Sequence, residues 1–113
     1  MTSNLTPEQV IATLSVIGKD IDEATSEISR LDEAAVRARA AYKVDYARAF
    51  LGTEGSMDIR KYTADLQTQD SFLAHELADQ EHRAGLTQIR ALRDRLEVGR
   101  SISVLVRLEW GQA

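Results

Sequence analysis

Apolar residues recur at alternating steps of three and four from Val10 through Leu14, Ile17, Ile21, Ala24, Ile28, Leu31, Ala35 and Ala38 to Tyr42. A seam with this period, held over more than four heptads, predicts a long amphipathic helix that packs as coiled coils do. At Asp45 the stripe shifts by one residue to Tyr46, Ala49 and Phe50, which lets the seam drift around the helix. The start is well marked. Thr6 offers an N-cap, Pro7 the fixed φ suited to the first helical position, and Gln9 the reciprocal partner of a capping box. Gly18 lies inside the run, where it costs about 1 kcal/mol relative to alanine and marks the place for a bend. The expectation is one helix over 7–51.

Gly52-Thr53-Glu54-Gly55-Ser56 follows as a turn, with Gly52 suited to a left-handed cap and Ser56 to the N-cap of the next helix. A second helix is expected over 57–98, with a patchier stripe of Ile59, Tyr62, Leu66, Leu73, Leu77, Ala84, Ile89, Leu92 and Leu96. Ala64, Ser71, Ala78 and Gly85 form a lane of small residues at sevenfold spacing. That lane admits a close helix or simply reflects helix propensity. In the tail, 99–113, Ile102, Val104, Val106, Leu108 and Trp110 alternate with other residues, which is strand-like. Ile102, Val106 and Trp110 also lie at i, i+4 and i+8, which is helix-like. A lone strand would pair only with another copy, so helix is the preferred reading and the five residues are the candidate oligomer interface.

The fold class is therefore all-α: one domain, an antiparallel hairpin of two long amphipathic helices joined by a short turn. Composition agrees, with 43% hydrophobic and 28% charged residues, one proline and only 5% aromatics. A hairpin of 113 residues leaves apolar flanks uncovered, so a homo-oligomer or a protein partner is expected. Folding at the turn puts residue i of the first helix opposite roughly residue 108 − i of the second. Asp65, Asp70 and Glu76 would then pass Arg37, Arg39 and Lys43, favouring that register over slipped ones.

Charge changes the picture only locally. A net charge of −4 argues against a protein whose whole surface coats nucleic acid. At the turn, however, Lys43, Arg48, Arg60 and Lys61 lie beside Tyr42, Tyr46, Phe50 and Tyr62, the mixture of cations and rings that a single-strand binder uses, with Tyr42, Lys43, Tyr46, Arg48, Arg60 and Lys61 as the candidate contacts. Tyr42, Tyr46 and Phe50 also continue the core stripe. A second basic cluster, Arg90, Arg93, Arg95, Arg100 and Arg107, reads as a solvated face or, in an oligomer, as a pocket for a small anionic ligand. His75, Asp79 and His82 share a helix face, but His75-Glu76-Leu77-Ala78-Asp79 lacks the second histidine of a zinc protease motif. Paired carboxylates such as Asp32-Glu33 have no evident pocket to perturb them. No catalytic residue, cofactor or metal is expected. There is no cysteine, no apolar run long enough for a membrane span and no signal-peptide pattern, so a cytoplasmic protein is expected.

Tyr42, Tyr46-Ala47-Arg48, Phe50-Leu51, the Gly52/Gly55 turn, Arg60-Lys61 and the spaced Ala74, Ala78 and Ala84 resemble a group of small helical proteins of tailed phages and prophages. The ending Ala91-Leu92-Arg93, Arg100-Ser101-Ile102-Ser103 and Arg107-Leu108-Glu109-Trp110 is similar to the tail of the same group. The resemblance implies a phage origin and expression in the bacterial host cell, and it transfers no catalytic residue. The leading expectation is a non-enzymatic, oligomeric phage accessory protein acting by helix-mediated assembly. The alternative is a nucleic-acid accessory factor of replication or recombination.

Overall fold

The computed structural model describes residues 5–111. Three helices carry them: α1, Pro7–Leu51; α2, Met57–Gln67; and α3, Gln69–Gly111. Among the described residues there is no strand, so the tail takes its helical alternative and Gly99 passes through α3 without ending it. An isolated strand would leave its backbone unpaired, whereas extending α3 pairs that backbone within the helix. Contacts divide the chain into two units, one of residues 1–27 and 85–113, the other of residues 28–84.

In the first unit α1 and α3 run antiparallel. The Trp110 indole N–H donates to the Leu5 carbonyl at 3.3 Å, and Leu14 reaches Gly99. A Cβ on Gly99 would stand 2.6 Å from Leu14 Cδ2, so the missing side chain is what admits the leucine tip. The capping box forms as expected, Gln9 N–H on Thr6 Oγ1 at 3.2 Å and Thr6 N–H on Gln9 Oε1 at 2.9 Å. Gly18 stays within an unbroken α1, and a side chain there would meet nothing within 4 Å.

The second unit is antiparallel too, with Asp32 near His82, Arg39 paired with Asp79, and Tyr42 on His75. Its register departs from expectation by roughly two helical turns. Arg39 meets Asp79, while Arg37 pairs within its own helix with Glu33 at 2.9 Å. The second helix is interrupted at Thr68, where φ is −110° and ψ 18°. Its buried hydroxyl donates to the Ala64 carbonyl at 2.6 Å, in competition with the Thr68 N–H on the same oxygen at 3.1 Å. Back-bonding of this kind bends helices. The turn is also corrected. Gly55, not Gly52, holds the positive φ, at 123°. The end of α1 is satisfied by the Gly52 N–H on the Arg48 carbonyl and by the Thr53 hydroxyl on the Ala49 carbonyl. Ser56 caps α2 as expected, accepting from the Ile59 N–H.

The expected seam of α1 is the observed one: from Val10 to Phe50, every residue assigned to it is buried or half-buried. The inward face of α3 is different from expectation. Its inward row steps by four and three through Ser71, His75, Ala78, His82, Gly85, Ile89, Leu92, Leu96, Gly99, Ser103 and Val106, with Asp79 and Leu86 half-buried beside it. Ile89, Leu92 and Leu96 set this phase. Carried back by heptads, it lands on the small-residue lane and on two histidines. Ile59, Tyr62, Leu66, Leu73, Leu77 and Ala84 are exposed. The step from Ala84 to Ile89 is five residues, which no single heptad stripe contains.

Candidate functional site

Because the inward phase of α3 takes small and polar residues before Ile89, Leu73 and Leu77 are left off it, and a second row of residues runs along the helix beside the seam. Leu77, Ala84, Ala91, Val98 and Leu105 follow one another at intervals of seven and are all exposed. Residues at a sevenfold interval stay on one side of a helix wound around a partner. Ala74, Glu81, Gln88, Arg95 and Ile102 run beside them at the same interval, also exposed. Together these form a continuous lane flanking the seam, apolar at both ends, small near the middle and charged only at Glu81 and Arg95. Leu77 is 50% exposed, Val98 60% and Leu105 66%. On α1 the exposed apolar residues Ile11, Val16, Val36, Val44 and Leu51 are separated by charges and make no comparable lane.

The tail residues proposed as an interface divide. As part of a helix, Ile102, Val104, Val106, Leu108 and Trp110 do not share one face. Val106 is buried beside Pro7 and Val10 in the first unit, whereas Ile102, Val104, Leu108 and Trp110 remain exposed. Strict alternation was a signal for a strand, and in a helix it scatters these side chains around the axis.

The turn cluster is rearranged as well. Tyr42 stacks on His75 with centroids 5.7 Å apart and planes 8° from parallel, and meets Phe72 and Tyr46 edge-on at 5.4 and 6.2 Å. Tyr46 in turn stacks on Phe50 at 6.4 Å. The rings thus occupy one another's faces, as core rings do. Lys43, Arg48 and Lys61 are exposed, and Arg60 is half-buried with its Nε buried and unpaired.

His75 and Asp79 are neighbours, and His82 stands about two turns along the helix from His75. His75 Nδ1 is buried without a hydrogen bond, since Asp79 Oδ2 stands 3.6 Å away, and Asp79 Oδ1 instead accepts from Arg39 at 3.4 Å. His82 faces Asp32 across the helices at 3.9 Å. Among the described residues no three histidine, aspartate or glutamate side chains are grouped to hold a metal ion. No described helix is long and apolar enough to cross a membrane.

The chain matches no protein-family model, no curated protein and no solved structure. The likeness to phage proteins therefore rests on the residues quoted for it alone.

Proposed function

We propose that this protein is a non-enzymatic assembly protein, an accessory component of phage origin that works by docking the exposed lane of α3 onto another helical surface. The observation that carries the reading is the lane itself, Leu77, Ala84, Ala91, Val98 and Leu105 exposed on one side of a single helix. Scattered exposed apolar residues are ordinary, but a continuous exposed stripe marks an interaction surface. It runs beside the seam already packed on α1, which is where helices join a bundle.

The alternative, single-strand binding at the turn, keeps its exposed cations Lys43, Arg48 and Lys61. Of its rings Tyr62 is exposed, whereas Tyr42 and Tyr46 are stacked on the half-buried His75 and Phe50. Base stacking needs an open ring face. Static light scattering of the purified chain at micromolar concentration tests the leading reading. The expected mass is a multiple of 12.6 kDa that falls on dilution. A mass of 12.6 kDa at every concentration would contradict self-assembly. Salt-sensitive retention of an oligonucleotide by that monomer, lost in Arg48→Ala/Lys61→Ala, would move the function to nucleic acid.

A further inference from the structure

We propose that the partner on the α3 lane is a second copy of this chain, aligned antiparallel with its two-fold axis at Gln88. The inference rests on the assembly reading above and adds the occupant and its register.

The lane is nearly a palindrome. Outward from Gln88 it reads Ala84, Glu81, Leu77 and Ala74 in one direction, and Ala91, Arg95, Val98 and Ile102 in the other. Turned over on itself, the helix places Ala84 opposite Ala91, Leu77 opposite Val98 and Ala74 opposite Ile102. A two-fold interface requires that self-complementarity, each contact occurring twice. Ala84 and Ala91 fall beside the axis, where the helices approach most closely, with Leu77 and Val98 farther out.

Charge selects the antiparallel alignment. The only two ions in the lane between Ala74 and Leu105 are Glu81 and Arg95, and the palindrome sets each opposite the other in the second copy. A parallel pairing would set Glu81 on Glu81 and Arg95 on Arg95, and like charges in register disfavour that alternative. The same asymmetry holds along the whole helix. Asp70, Glu76, Asp79 and Glu81 lie in its first part, and Arg83, Arg90, Arg93, Arg95, Arg100 and Arg107 outnumber Asp94, Glu97 and Glu109 in the rest.

Paired about Gln88, the lane overlaps its copy from Ala74 to Ile102, about 42 Å of helix, which allows an extensive contact.

The chain has no cysteine, so single cysteines report proximity without background. Ala84→Cys and Ala91→Cys are mild changes at exposed positions. Each variant would be oxidised alone and as an equal mixture, and the linked peptides identified by mass. The expected result is a disulfide between position 84 of one copy and position 91 of the other in the mixture, with little linkage in either variant alone. Alongside, Glu81→Arg should weaken the dimer at least about tenfold, and Glu81→Arg/Arg95→Glu should restore it. Linkage of 84 to 84 and 91 to 91 would overturn the antiparallel alignment. An oligomer by light scattering that forms none of these links would overturn the choice of the α3 lane while leaving assembly standing. A monomer would overturn both.

Discussion

The two units solve the same packing problem with different side chains. In the first, Val10, Leu14, Ile17 and Ile21 line α1 and Ile89, Leu92, Leu96 and Val106 line α3, an aliphatic seam from both sides. In the second, α1 brings Ala35, Ala38, Tyr42, Tyr46 and Phe50, while α3 answers with Ser71, His75, Ala78 and His82. The contrast teaches that a helix needs few apolar residues of its own on a seam to which its partner contributes rings. Tyr42 lies flat on His75, so an imidazole occupies a position that an aliphatic side chain would otherwise hold. The leucines of that stretch, Leu73 and Leu77, are then left for the outer surface.

The largest effect should come from the aliphatic seam. Leu92 is 6% exposed, and Leu92→Ala should lower stability by about 2–4 kcal/mol in urea unfolding. A change near zero would show that the first unit's seam is loosely packed. Removing the bend of the second unit should matter less. Thr68→Ala deletes the buried hydroxyl bonded to Ala64, and a loss of about 1 kcal/mol is expected, read by the same unfolding. The histidine should behave in the opposite sense. His75→Phe keeps a ring beside Tyr42 and removes the unpaired buried Nδ1, so stability should stay level or rise by up to about 1 kcal/mol. A clear loss there would mean that the imidazole makes a bond that Phe cannot replace. The smallest effect belongs to the exposed ion pair between helices. Arg39→Ala should cost less than about 1 kcal/mol, and less again in high salt.

The same contrast explains which parts were legible in the sequence. Helix α1 was readable throughout, because its cap, its heptads and even the shift past Asp45 are written in residues of one kind. The aliphatic part of α3, Ile89 to Leu96, was readable for the same reason. Before it, the expected stripe merges two faces, and the step of five from Ala84 to Ile89 is the sign in the sequence that Leu73, Leu77 and Ala84 belong to another one. The break at Thr68 was not legible, since a threonine in a helix points to a bend only once its hydroxyl is seen on the Ala64 carbonyl. The expected charge pairs give way to Arg39 with Asp79, a register that the charges alone do not select. Of the turn cluster, Tyr42, Tyr46 and Phe50 pack on one another and on His75 because rings that extend a seam join it. In the tail, Ile102, Val104, Leu108 and Trp110 are exposed while Val106 turns inward, a division that strict alternation along the sequence does not show.

If the exposed lane of α3 completes its burial only between copies, folding and assembly are one equilibrium. The most direct test is the midpoint of thermal unfolding, followed by helical circular dichroism from about 1 to 100 μM protein. The midpoint should rise with concentration for the natural chain and should lose that dependence in Val98→Glu, whose side chain is exposed within a single copy. A midpoint that stays fixed across the range in the natural chain would contradict the account.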